Sequence, residues 1–254
     1  MGRNLLVANY YGGNVACLPL AADGSLKPVS SVMQHEGHGV HPERQEAAHA
    51  HSIHLAESDE VAIAVDLGLD RLVFYAFDGE AGRFLPHARP AVSTARGAGP
   101  RHLAFHPSGR YAYVDNELAS TVTAYARADG GGLKEIQTLP TLPAGFAGAS
   151  TAAEVAVSAD GGSLYVSNRG HDSIAVFSID AATGRLAARG HVESGGRTPR
   201  HFALAPGGAH LLVANQDSGN VVVFARDPET GDLTPTGASI DVPRAVCVRF
   251  LSAR

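Results

Sequence analysis

The sequence predicts an all-β chain made of four-stranded antiparallel blades, and three observations carry that expectation. Residues 101–125 read as three short strands, 101–106, 110–116 and 121–126, rich in aromatic and β-branched residues. Pro107-Ser108-Gly109 and the segment around Leu118–Ser120 supply the turns between them. The same pattern returns at 200–224, with weaker copies starting at His51 and Glu154. Asp66, Asn116, Asn168 and Asn215 each close an apolar second strand. Their spacing of about 50 residues is typical of propeller blades and not of helical solenoids.

Each repeat offers four strands, A to D. The third strands run Arg71–Phe77, Thr121–Ala126, Ser173–Ile179 and Asn220–Ala225, followed by polar turns such as Asp180–Gly184 and Asp227–Gly231 and then a weaker fourth strand. Complete blades are expected at 48–90, 100–140, 150–195 and 198–240. At the front, 1–32 reads as strands B to D alone: Leu5–Asn9, Asn14–Leu20 and Leu26–Val29. At the back, 243–251 reads as a lone inner strand A. The two fragments add up to one blade, the usual way a propeller pairs its exposed sheet edges. That makes about five blade-equivalents in one domain, 1–254. Nowhere is a 3.6-residue apolar period sustained, so almost no helix is expected.

The totals narrow the class. A chain of 254 residues can bury a sizeable core without staples. It is 44% hydrophobic and 18% charged with a net charge of −5, so no basic excess points to nucleic acid. The apolar run after Met1-Gly-Arg-Asn is too short for a signal peptide or a membrane span, and a soluble cytoplasmic protein is expected. Cys17 and Cys247 sit in strand-like apolar runs and are expected as buried free thiols. Gly-rich phosphate loops, Gly-x-Ser-x-Gly elbows and Cys-x-x-Cys pairs do not occur, which disfavours hydride transfer, P-loop chemistry and serine hydrolysis.

Topology then selects a site. Strands A and B run antiparallel, so the start of every A lies beside the end of every B, at one mouth of the central channel. The A starts carry His49 and His51, Arg101 and His102, Glu154, and Arg200 and His201. The B ends carry Asn9, Asp66, Asn116 and Glu117, Asn168 and Arg169, and Asn215 and Gln216. Such a polar rim on a concave mouth suits a small-molecule ligand. Structural readings stand beside this one. The B-end amides are equally suited to forming turns, and Arg101, Glu117 and Arg200 to forming ion pairs. His54, His106 and His210 are expected to face solvent or pack within blades. Two long connections, Met33–Ala48 and Pro140–Ser150, are of functional length. The first holds His35, His38 and His41, without a cysteine at ligand spacing, and no metal site is expected there.

Several stretches resemble the lactonase-type seven-bladed propellers, the family of bacterial 6-phosphogluconolactonases of this fold and fungal carboxymuconate cyclases. They are Gly-Pro-Arg-His-Leu-Ala-Phe-His-Pro (99–107), Asn-Glu-Leu (116–118), Ser-Asn-Arg-Gly-His-Asp-Ser-Ile-Ala-Val-Phe (167–177), Thr-Pro-Arg-His-Phe-Ala-Leu (198–204) and Ala-Asn-Gln-Asp-Ser (214–218). Pro-Glu-Arg-Gln-Glu-Ala-Ala-His-Ala-His-Ser (42–52) looks like the family's connection into a blade. The resemblance implies a cofactor-free site made of His51, Arg101, Glu117 and Arg200; His49, Glu154, Arg169 and Gln216, on the same polar rim, are expected as further substrate contacts. It implies a sugar-acid lactone as substrate and no nucleic-acid or membrane partner. A lactonising muconate cycloisomerase and a non-catalytic binding platform are the alternatives. The departure is at the front, where the chain starts within what resembles the family's third blade. Either two blades are missing, or the terminal strands close a five-bladed ring. The first is the expectation, because Met1-Gly-Arg-Asn-Leu-Leu-Val sits where the family writes a turn and strand B.

Overall fold

The computed structural model describes residues 2–56, 60–128 and 132–251, and among these no helix forms. The strands make five antiparallel sheets. The first has three: β1 (Asn4–Asn9), β2 (Asn14–Pro19) and β3 (Ser31–Gln34). The second holds β4 (Ala50–Leu55), β5 (Val61–Asp66), β6 (Arg71–Asp78) and β7 (Arg83–Ser93). The third holds β8 (Pro100–Phe105), β9 (Tyr111–Asn116), β10 (Thr121–Arg127) and β11 (Leu133–Pro140). The fourth holds β12 (Thr151–Val157), β13 (Ser163–Arg169), β14 (Ser173–Ile179) and β15 (Leu186–Glu193). The fifth holds β16 (Pro199–Leu204), β17 (His210–Asn215), β18 (Asn220–Arg226) and β19 (Leu233–Asp241). Strands follow chain order across each sheet, the meander of a propeller blade.

Two expectations about the ends need correction. The third strand of the first sheet is Ser31–Gln34, not Leu26–Val29. Pro28 has no N–H to give a ladder, so just past β2 the chain makes only an isolated Leu20–Leu26 bridge, and the ladder with β2 is built by Ser31–Gln34. Residues 243–251 form no strand. Their apolar alternation fits a pleated surface, but a strand exists only where a partner completes its ladder. Ala245 is nevertheless buried, packing with Ala214 and Val221.

Contacts divide the chain into two compact units, 1–103 with 127–134, and 104–126 with 135–254. In the first, a core of Val15, Cys17, Ala50, Ala62, Ala64, Tyr75, Phe77 and Phe84 joins the first two sheets. In the second, β14 shows how its sheets stack. Ala175, Phe177 and Ile179 enter one core with Tyr113, Val122 and Leu164, while Ile174 and Val176 enter another with Phe202, Leu211 and Phe224. Burial on both faces explains why Ser173–Ile179 reads as an almost unbroken apolar run. The fourth strands β15 and β19 bury little beyond their first residue, and read weakly for that reason.

Two recurring devices lock neighbouring sheets in place. Tyr165 on β13 donates its hydroxyl hydrogen to the Gly231 carbonyl (2.7 Å) in the turn between β18 and β19. Tyr113 on β9 does the same for Gly184 (3.1 Å) between β14 and β15, and within the first unit the Asn4 side-chain amide donates to the Gly79 carbonyl (2.7 Å). Only glycine fits at 231, where φ is +76° and a Cβ would lie 2.0 Å from Ser163 Oγ. The second device is a left-handed residue before β2, β6, β10, β14 and β18: Gly13, Asp70, Ser120, Asp172 and Gly219, with φ between 48° and 68°. The non-glycine members offset that strain by tying down the loop that leads to the next sheet. Asp70 accepts from the amides of Gly97 (2.6 Å) and Gly99 (2.8 Å), and Asp172 from that of Thr198 (2.8 Å). Ser120 donates to the Ser150 carbonyl (3.0 Å).

Candidate functional site

Each first strand carries its polar residues where it meets the end of the second, and in three sheets a β-bulge falls there. In β4, Ala50 pairs Asp66 and Ser52 pairs Val65, so His51 is the inserted residue. In β16, Pro199 pairs Asn215 and His201 pairs Ala214, so the insertion is Arg200. In β12 the register jumps between Ala152 and Val155, with Ala153 and Glu154 inside the bulge. A bulge re-aims the side chain it inserts and bends the strand end. Three residues selected from sequence therefore share one backbone device.

The first unit brings together His49, His51 and Arg101. His49 is buried, its ring stacked on Tyr10 at 4.4 Å and 7°, with Nδ1 3.0 Å from the Tyr10 carbonyl oxygen and Nε2 3.1 Å from Glu46 Oε1. The His51 ring stands edge-on to Tyr10 (5.6 Å) and to His102 (5.0 Å). Arg101 is 3% exposed, and its Nη1 lies 3.4 Å from His102 Nε2. A guanidinium can only donate, so His102 Nε2 accepts and its ring proton sits on Nδ1. Ser52 Oγ donates to the Arg101 carbonyl (2.9 Å), which ties the two strand starts together.

The second unit holds two pairs. Glu117 is buried, with Arg169 Nη2 3.0 Å from its Oε2. Arg169 also donates to the Ala152 carbonyl (3.0 Å), and the Ala152 amide donates to the Glu117 carbonyl (3.2 Å). The carboxylate is thus held from its side chain and its backbone. Glu154 Oε2 lies 3.1 Å from His201 Nε2, and the Glu154 amide donates to Ser167 Oγ (3.0 Å). His201 Nδ1 accepts the Val248 amide (3.3 Å), which leaves the ring proton on Nε2, directed at Glu154. Arg200 and Gln216 are half-buried, and the Gln216 amide donates to the Thr198 carbonyl (2.9 Å).

Two participants escaped the sequence reading as site residues. Tyr10 follows Asn9 as Glu117, Arg169 and Gln216 follow their asparagines, so the repeat register could have found it. His201 was visible as a strand start, but its carboxylate partner is 47 positions away in sequence. Cys247 corrects an expectation: it is exposed, because 243–251 is no paired strand, with Sγ 4.0 Å from His201 Nε2, whereas Cys17 is buried.

The B-end residues Asp66, Asn116, Asn168 and Asn215 are buried and structural. Asn168, for example, donates to the Thr141 carbonyl and accepts from the Thr141 hydroxyl, both at 2.7 Å, and so anchors the connection after β11. His35 is buried between Asp66 Oδ2 (2.6 Å) and the Tyr75 hydroxyl (2.7 Å), while His38 and His41 are exposed. His106 is buried and held by Gly161, His54 meets Ser52, and His210 faces solvent. Burial, with Asp66 close by, pushes the Tyr75 hydroxyl up to about 12. In the unfolded chain it ionises near pH 10. The stability tied to this group is therefore complete below about pH 10 and is lost as pH rises toward 12. Tyr75→Phe should flatten the fall of the urea midpoint across that window, and an unchanged slope would refute the assignment.

A family model described as "Lactonase, 7-bladed beta-propeller" matches residues 1–250. The chain belongs to this lactonase family. Among its family relatives is the 6-phosphogluconolactonase of Bacillus subtilis (strain 168), 42% identical over 249 residues, covering 97% of this chain and 70% of that protein. The 6-phosphogluconolactonase of Pectobacterium atrosepticum is 35% identical over 75% of this chain and 54% of its own length. Among solved structures of the family fold, a periplasmic gluconolactonase of Pseudomonas aeruginosa superposes with a TM-score of 0.92 at 41% identity, over 98% of this chain and 70% of that one. This lactonase-family chain thus spans 70% of the Bacillus relative and about half of several other curated relatives. The Pseudomonas protein is periplasmic, so membership in the family does not fix a compartment. Among the described residues, no helix is long and apolar enough to cross a membrane.

Proposed function

We propose that the chain hydrolyses the internal ester of a sugar acid, with 6-phosphogluconolactone as the leading substrate. The observation that carries this reading is the 42% identity to a named 6-phosphogluconolactonase over nearly all of the chain. Local chemistry supports it. Opening a lactone needs a base for water and a cation for the oxyanion that develops on the carbonyl. Glu117 is the base, its buried carboxylate held in place by the Arg169 guanidinium 3.0 Å away. Arg101 polarises the carbonyl. As the water oxygen bonds to the carbonyl carbon its proton passes to Glu117, and it goes to the ring oxygen when the ring C–O bond breaks. Arg200 and His51 hold the substrate's anionic group and hydroxyls, arginine being suited to bidentate anion recognition. His49, Glu154, Arg169 and Gln216 orient these groups or touch substrate.

The test is to offer one preparation both 6-phosphogluconolactone and a carboxymuconate, following acid release from the first and lactone formation from the second. Lactone hydrolysis above the spontaneous rate, with no muconate cyclisation, is expected. Cyclisation without hydrolysis would replace this assignment with an isomerase.

A further inference from the structure

The long connection after β3 has no role in the proposed hydrolysis, yet it walls a polar cavity in the first unit. The cavity has a volume of about 260 Å³. Its chemistry comes from His38, Asp70, Arg71, Ser93, Thr94 and Arg96. We propose that it is a phosphate-binding site, separate from the residues assigned to lactone opening.

The argument begins with rigidity. Gln45, with no exposed surface, accepts the amides of Val40 (3.1 Å) and His41 (3.0 Å) on its side-chain oxygen. Its Nε2 donates to the Leu67 carbonyl (2.8 Å) and to Asp70 Oδ1 (2.7 Å). Asp70 in turn holds the amides of Gly97 and Gly99. One buried amide–carboxylate pair thus clamps both walls, the 38–41 loop and the 93–99 loop, and that carboxylate is only 6% exposed.

On these fixed walls stand two cations without partners. Arg71 and Arg96 are exposed, and neither guanidinium has a hydrogen-bond or ion-pair partner among the described residues. Like charges repel, and an anion between them removes the repulsion. The hydroxyls of Ser93 and Thr94 add neutral donors. A tetrahedral dianion with several acceptor oxygens matches this set better than a planar carboxylate does, because two forked guanidiniums and two hydroxyls approach it from different sides.

Its position is set by register. Arg71 opens β6 opposite Asp66 and opposite Ser93, the last residue of β7. Asp66 faces Ala50, beside His51. The cavity therefore lies at the same end of this sheet as His51, but two to three strands outward, roughly 10–15 Å at the usual strand spacing.

Isothermal titration of the full chain at constant ionic strength tests this, with inorganic phosphate as one probe and glycerol 3-phosphate as the other. Saturable binding of at least one probe is expected, weakened tenfold or more in the double variant Arg71→Gln/Arg96→Gln. Ser93→Glu, which places a carboxylate in the cavity, should weaken it likewise, whereas Ile240→Ala, on the exposed surface of β19, should leave it in place. Tighter binding of the ester than of the free ion supports a phosphomonoester ligand, and the reverse order supports free phosphate. No saturable binding of either probe, or affinity kept in both cavity variants, overturns the site. Because the cavity variants leave Arg200 and His51 untouched, the affinity they lose reports the cavity, while lactone hydrolysis by the same variants reports the other site.

Discussion

Glu117→Gln is expected to lower kcat for 6-phosphogluconolactone hydrolysis by roughly 10²–10⁴-fold, the usual contribution of a positioned base. Glutamine keeps the shape and an oxygen toward Arg169, whose Nη2 lies 3.0 Å from Glu117 Oε2, but it cannot take a proton from water. KM should move much less, because substrate anions are held by other groups. Glu117→Asp should recover part of the rate, since it restores a carboxylate about one methylene short. The thermal midpoint of each variant reports whether the buried pair still folds. A well-folded Glu117→Gln enzyme with unchanged kcat would remove the base from the mechanism, whatever the substrate proves to be.

Phe177→Ala should destabilise the second unit by about 3–5 kcal/mol. Phe177 is 1% exposed and fills the core shared by β9, β10 and β12 to β15. The cost combines lost burial with a cavity that rigid sheets cannot collapse to fill. At the size of this chain, a loss of that order lowers the melting temperature by roughly 6–20 °C. Ile240→Ala on β19, where the side chain is 63% exposed, should change stability by no more than about 0.5 kcal/mol. Equal midpoints for the two variants would show that the cores between the sheets do not carry the fold.

The strands were legible because their chemistry is local. Tyr111–Asn116 alternates aromatic and small apolar residues between turn formers, and that pattern needs no partner to be recognised. The fully buried Ser173–Ile179 was legible by its length and its flanking turns. Where pairing rather than composition decides, reading failed. Leu26–Val29 and 243–251 both have strand-like residues, yet Pro28 breaks one ladder and the other segment makes none. The fate of Cys247 followed from the second of these.

The candidate site divides in the same way. Repetition alone placed His51, Arg101, Glu154 and Arg200 at the first strands of successive repeats and Glu117 at the end of a second strand, each at a strand end fixed by the period. Sequence by itself therefore determined the all-β class, the family and the residues worth testing. Only tertiary structure decided what each of them touches: Arg169 on Glu117, His201 on Glu154, Tyr10 stacked on His49, and the bulges that insert His51 and Arg200. It also decided that Gln45 and Asp70, ordinary loop residues in the sequence, clamp a cavity around two free arginines. The physical reason is range. Turn chemistry and strand periodicity act over a few residues, whereas ion pairs, stacking and register depend on groups that only the folded chain brings within 3–5 Å.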